Sequence, residues 1–180
     1  MTEALALVGV AWGAVALLML ALWVVHFVIR NAAIVVLLSL PALIVALSPA
    51  QHISVLEIAG LATWAAGLAG EATADRQLHR FKADRARAGR VCTVGLWRYS
   101  RHPNYFFEWL VWVGYALYAL GSPFGWVALT CPLLMLYFLF RVTGIPATEA
   151  QALRTRGEDY RRYQQTTSRF VPWFPRTSSR

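Results

Sequence analysis

The sequence predicts an all-α, polytopic membrane bundle of about five helices, closed by a cytoplasmic amphipathic C-terminal helix. Three observations predict it: the composition, a set of long apolar stretches, and the placement of charge between them. Of the 180 residues, 58% are hydrophobic and 14% charged, and the mean hydropathy is +0.47. A soluble domain carries about 25% charged residues, so this composition suits a bilayer. It excludes a disordered tail and a small disulfide scaffold. Cys92 and Cys131 are the only cysteines, too few for a disulfide framework or a zinc cluster.

The apolar stretches cover residues 5–29, 32–47, 53–70, 105–120 and 124–140. A helix needs ~20 residues to cross a hydrocarbon core of ~30 Å. The first stretch suffices for a tilted span. The others span if their flanks continue as helix, which Trp and Tyr at the interface permit. Only Arg30 and Asn31 separate the first two, giving an N-terminal helical hairpin over 1–50, with a kink at Pro41. The first stretch is not a secretory signal, because it lacks a basic leader and further spans follow. No internal repeat or second domain interrupts the single membrane domain over 1–180.

Charge sets the orientation. Of 17 Lys and Arg residues, one is Arg30, eight lie from Arg76 to Arg101, and eight from Arg141 to Arg180. The connections at 48–52 and 121–125 carry no basic residue. With five spans the three basic segments share one face, cytoplasmic by the positive-inside rule, and the N-terminus is outside. The net charge of +8 therefore points to anionic membrane lipids and not to nucleic acid, for which no motif is present.

Polar residues in three segments need a further explanation. Glu71, Asp75, His79 and Lys82 share one face of the helix that continues the third span. They form either a solvated face or a wall that receives a charged ligand. Arg98, Arg101 and His102 crowd the loop before Pro103, which suits the first turn of the next helix. Such a helix start, with two arginines beside it, favours phosphate. Asn104 and Glu108 follow on one face of the fourth span, with Trp112 and Tyr115. An ionisable Glu108 one turn inside the apolar segment is either a functional group or a carboxylate reaching back to Arg101 or His102. Beyond Arg141, Pro146 opens an amphipathic helix containing Glu149, Arg154, Tyr160 and Tyr163, followed by an apolar, proline-broken tail over 169–175 suited to the membrane surface. No dinucleotide or phosphate loop, nucleophile elbow or zinc-protease motif occurs. His26, His52, His79 and His102 lack metal-ligand spacing, so no metal is expected. His52 and Glu57 are expected at the outer interface without a role.

The segments 71–81, 95–108 and 141–175 together resemble the C-terminal domain of the steroid 5-alpha-reductase superfamily, nearest its uncharacterised bacterial membrane branch. The stretch LWRYSRHPNYFFE is the most specific part, and the resemblance covers a core over about residues 51–176. It implies a helical membrane domain that holds NADPH in a cytoplasm-facing cavity and delivers hydride to the beta carbon of an electron-poor double bond. The implied substrate is lipid-like or steroid-like, and the implied site is the bacterial inner membrane. Asn104, with Glu108 supporting it, matches the catalytic pair near the nicotinamide. Asp75 and Lys82 match contacts to the adenosine half. Arg141, Glu149 and Tyr160 match positions lining the same cavity. Arg98, Arg101, His102 and Tyr105 are the remaining residues expected to bind cofactor, and Lys82, Arg98 and Arg101 are the candidates to meet the extra 2′-phosphate that selects NADPH over NADH. Phe107 stands where the steroid enzymes usually have glycine, which would narrow the cavity. The N-terminal half is shorter than the family's, lacking a middle block that helps orient substrate. Two alternatives stay open: an S-adenosylmethionine-dependent enzyme of the isoprenylcysteine carboxyl methyltransferase type, which has a similar Arg-His-Pro-x-Tyr turn, or a shortened non-catalytic membrane paralogue.

The expected topology makes a cysteine placed at position 123 accessible to membrane-impermeant reagents only from outside the cell. Labelling from the cytoplasmic side would contradict it.

Overall fold

The computed structural model describes residues 54–121, 125–142 and 144–176. The chain divides into two units, Met1–Gln51 and His52–Arg180, and every described residue belongs to the second. The stretches expected at 5–29 and 32–47, with Arg30 and Pro41, lie outside the described residues. Among the described residues every regular element is helical. One isolated parallel bridge, Ser100 to Ser168, joins extended backbone.

Helix α1, Val55–Ala83, runs 29 residues and so extends the stretch expected at 53–70 by more than three turns. Ser54 and Glu57 close a capping box at its start. The Glu57 amide donates to Ser54 Oγ at 3.2 Å, and the Ser54 amide donates to Glu57 Oε2 at 2.6 Å. Glu57, assigned no role from sequence, is therefore a buried cap that satisfies otherwise orphaned backbone donors.

Helix α2, Pro103–Ala119, begins on the proline, as the ring's fixed φ and missing donor favour. It packs along α1 through backbone-to-backbone approaches that only glycine allows. A Cβ at Gly60 would sit 2.5 Å from the Tyr118 nitrogen, and one at Gly114 would sit 2.6 Å from the Trp64 nitrogen. Higher up, the Phe107 ring occupies the space above Gly70, where a Cβ would fall 2.2 Å from it. Phe107 thus turns toward α1.

After a 3-10 turn at Gly125–Leu129 come α3, Thr130–Tyr137, and a π turn at Phe138–Val142. The helical run Gly125–Thr166 is long and apolar enough to cross a membrane, and it exposes Leu133, Leu134 and Phe138. Helix α4, Ile145–Thr166, carries Pro146 in its first turn and is broken at Gly157, whose φ of 51° and ψ of −123° are not helical. Glycine reaches such a conformation without the Cβ clash that other residues meet.

Residues 167–176 form a strap over the start of α2. The Arg101 amide donates to Ser168 O at 2.9 Å, Ser100 Oγ to Phe170 O at 2.7 Å, and the Trp173 amide to Tyr99 O at 2.9 Å. Phe170 is buried against Leu139 and Ile145, with Phe106, Trp109 and Phe140 around it. This cluster ties α2, the π turn, α4 and the strap into one end of the bundle.

Gly114→Ala forces backbone against backbone and should cost ~1–3 kcal/mol. Ala62→Ser, on the exposed side of α1, should leave the melting temperature unchanged. Equal melting temperatures for Gly114→Ala and wild type would contradict the close crossing.

Candidate functional site

The loop between α1 and α2 is fixed to both α1 and α4 by long-range bonds. The Leu96 amide donates to Gln77 Oε1 at 2.8 Å, and Trp97 Nε1 donates to Ala74 O at 2.9 Å. From α4, the Tyr163 hydroxyl is shared between Trp97 O and Ser100 O, the latter at 3.1 Å. Phe81, Cys92 and Trp97 pack beneath the loop.

These contacts enclose a cavity of about 320 Å³ between the end of α1, the loop, the start of α2 and α4. Its lining includes Lys82, Arg87, Arg90, Arg101 and Arg156, together with His102, and contains no carboxylate. Aromatic walls come from Phe81, Trp97, Tyr105, Tyr160 and Tyr163. Several of the cations are held in place. The Arg87 guanidinium lies 5.4 Å over the Phe81 ring and 3.0 Å from Asp84, and Arg156 Nε donates to Arg90 O at 3.2 Å. Tyr105 stacks on His102 at 5.4 Å and its hydroxyl lies 3.3 Å from Thr148 Oγ1.

Behind this wall lies Glu149, only 6% exposed. Arg101 Nη2 is 3.0 Å and His102 Nε2 3.4 Å from its Oε1, while Gln164 Nε2 donates to Oε2 at 3.1 Å. Arg169 adds a longer contact of 3.7 Å. Burial pushes the Glu149 carboxyl up, but the His102 hydrogen bond and the charges of Arg101, His102 and Arg169 outweigh it, leaving the carboxyl below its ordinary value. Burial, with the Glu149 charge nearby, pushes Tyr160 up to about 12, so its hydroxyl keeps its proton at neutral pH.

Six of the residues singled out from sequence line this cavity: Lys82, Arg101, His102, Asn104, Tyr105 and Tyr160. Glu149 supports it from behind. Four do not reach its lining. Asp75 is exposed on α1. Arg98 lies on the other side of the loop, beside Asp159 and Arg162. Arg141 is exposed in the π turn. Glu108, one turn deeper than Asn104, lies near Glu71 and Asp75. No ion pair joins Glu108 to Arg101 or His102 among the described residues. Phe107, expected to narrow the cavity, is absent from its lining because its ring fills the gap at Gly70. Burial, helped by Glu108 and Asp75, pushes the Glu71 carboxyl, just past the third expected span, up to about 7.

Sequence reasoning passed over Arg87, Arg90, Arg156 and Thr148, and it named Tyr163 only as part of the amphipathic helix, with no role at the site. The signal for the first two was Arg85-Ala-Arg87-Ala-Gly89-Arg90, where Gly89 adopts a φ of 78° and turns the chain back. For Arg156 the signal was its place beside Gly157, the break in α4.

Because the Glu149 carboxyl is held low when folded, its contribution is complete above the unfolded value of about 4.3 and is lost as pH falls through the folded value. Glu149→Gln should cost about 3 kcal/mol at neutral pH, since it leaves Arg101 buried without its counter-charge. The variant should also show a flatter loss of stability below about pH 4. Melting curves for both proteins across the acid range check this, and parallel curves would contradict it.

The family described as "Protein of unknown function (DUF1295)" matches residues 7–167. No curated protein and no solved structure matches the chain. With the match running from the first apolar stretch to the end of α4, the chain belongs to the DUF1295 family.

Proposed function

We propose that this protein is a membrane-embedded, NADPH-dependent reductase of an activated C=C bond in a lipid-like or steroid-like substrate. In this reading it has about five spans, and the basic cavity faces the cytoplasm. The observation that carries the reading is the lining: five Lys and Arg side chains and no carboxylate around about 320 Å³. That volume is at the low end of small-molecule sites, so the cavity suits the phosphate-bearing part of a dinucleotide.

The residues present fit NADPH. Lys82, Arg87, Arg90, Arg101 and Arg156 would hold its phosphates through charge-assisted hydrogen bonds, the strong class of such contacts. The aromatic walls would flank its flat rings. When bound, NADPH supplies the hydride. Asn104, in the first turn of α2 on the cavity wall, has an amide that donates to a carbonyl or carboxamide and keeps it in register. Glu108 follows on the same helical face one turn deeper, where it can act on Asn104 but not on the phosphates. Tyr160 lines the cavity with its proton retained, as a donor.

The same lining weighs against S-adenosylmethionine. Its sulfonium and amino groups would enter a cavity of like charge with no acid to receive them.

Thermal stabilisation of the detergent-purified protein by NADPH, NADH and S-adenosylmethionine, measured side by side, tests the reading. NADPH at 100 times its Kd should add about 2.7 kcal/mol. NADH should bind more weakly, because it lacks the extra phosphate. Asn104→Asp and Arg156→Gln should each weaken NADPH, while Arg98→Gln, outside the cavity, should not. NADH binding as tightly as NADPH, or stabilisation by S-adenosylmethionine alone, would overturn it.

A further inference from the structure

A second polar cavity, of about 300 Å³, lies between the end of α4 and the strap. We propose that it is a docking site for the phosphodiester headgroup of an anionic membrane lipid, held by Arg101, Arg169 and Arg176 with Trp173 and Phe174 at its rim. The assignment rests on the membrane placement proposed above and not on the reductase chemistry.

Three arginines line this cavity and no carboxylate does; the other polar lining is amide and hydroxyl, from Gln164 to Ser168. Glu149 pairs with Arg101 and Arg169 from behind and lines neither cavity, so the site keeps a net positive charge. The fixed point is Arg101. Its side chain is 7% exposed, Glu149 holds its Nη2 at 3.0 Å, and its buried Nε has no hydrogen-bond partner. A buried donor left unpaired is costly, so Arg101 retains unmet hydrogen-bonding capacity at the wall that the two cavities share. A guanidinium held in one orientation loses little entropy when it binds an anion oxygen.

The rim distinguishes a lipid from a free anion. Trp173 is 68% and Phe174 77% exposed, and Val171 beside them is 52% exposed. Looseness does not explain this exposure, because the strap is bonded on both sides of them. The Trp173 amide donates to Tyr99 O at 2.9 Å and the Arg176 amide to Thr166 O at 2.8 Å. The exposed aromatics are thus presented by a fixed backbone, in the pattern of residues that sit at a bilayer interface. Their level agrees. The strap is stitched to Tyr99, Ser100 and Arg101, immediately before α2 begins, and Phe170 packs on Phe106 and Trp109 in the first two turns of α2. That is where an α2 crossing the bilayer enters the headgroup layer. A soluble phosphate would use the arginines and have no use for the aromatic rim.

The full-length protein in detergent, incubated with phosphatidylglycerol, phosphatidylcholine or inorganic phosphate, provides the test. Retained lipid is counted per folded molecule by native mass spectrometry. Wild type should retain phosphatidylglycerol in preference to phosphatidylcholine, and inorganic phosphate at equal concentration should not displace it. Arg176→Gln should weaken retention about tenfold, the equivalent of about 1.4 kcal/mol for one lost charge-assisted contact. The pair Trp173→Ala and Phe174→Ala should weaken it too, and Arg176→Lys should restore much of it. Arg80→Gln, which removes the same charge from an exposed position on α1, should change nothing. NADPH stabilisation is read on the same samples, so a failed cofactor assignment and a failed lipid assignment are told apart. Equal losses from Arg176→Gln and Arg80→Gln would mean diffuse attraction to charge and overturn the site. Displacement by inorganic phosphate, with no effect of the aromatic variants, would make it a free-anion pocket and also overturn it.

Discussion

Burying a carboxylate costs several kcal/mol unless cations and donors replace the water it loses. At Glu149 the replacement comes from three directions: Arg101 and His102 before α2, Gln164 from the far end of α4, and Arg169 from the strap. These partners come from three parts of the chain, so the carboxylate is fully satisfied only when α4, the loop and the strap are all docked. The Ser168 and Phe170 carbonyls, bonded to Arg101 N and Ser100 Oγ, then lock the strap in the position that the charges select. Both cavities share Arg101, and both take their shape from this one arrangement.

The crossing of α1 and α2 is the second constraint, and it is steric. Gly60 and Gly114 let the two backbones touch, and Gly67 admits the Val111 side chain and backbone. Near the expected membrane boundary Phe107 takes over the contact by covering Gly70. Glu71 and Glu108 follow directly in sequence, so the tight crossing also decides that these two carboxylates approach each other. Burial, with the charges of Glu108 and Asp75 adding to it, raises the Glu71 carboxyl. Acidic groups therefore gather along the α1–α2 seam, while the cations gather where the loop and α4 meet.

Much of this was readable in the residues, and the remainder has an identifiable physical cause. Pro103 and Pro146 mark helix starts because proline loses nothing in a first turn, and both helices begin there. The 71–82 segment continues as helix, as its i,i+4 spacing requires. Lys82, Arg101, His102, Asn104, Tyr105 and Tyr160, singled out from sequence, line one cavity. Arg87, Arg90 and Arg156 join them only through contacts that spacing does not encode. The bonds that bend the loop into place link residues 19, 23 and 66 positions apart. Arg98 shows the converse. It stands three residues from Arg101, yet the 3-10 turn ends on it, and it lines a pocket with Asp159 and Arg162 while Arg101 lines the basic cavity. Glu57, given no role from sequence, closes a capping box with Ser54, a pairing that the sequence reading passed over.

In the proposed reading, recognition of an anion would depend less on how many cations line the cavity than on where the carboxylates stand. Five cations facing one space repel each other, and the structure tempers this without placing an acid among them. Glu149 stands behind Arg101, Asp84 and the Phe81 ring hold Arg87 from the side, and Arg156 donates one N–H into backbone. Each arginine so held keeps further guanidinium donors, since the group carries five. A carboxylate in the lining would have stabilised the empty cavity more strongly and competed directly with an incoming phosphate. Set behind or beside the wall, the carboxylates of Glu149 and Asp84 hold Arg101 and Arg87 and leave their remaining donors free for the proposed ligand, so less ordering would be left to be done on binding.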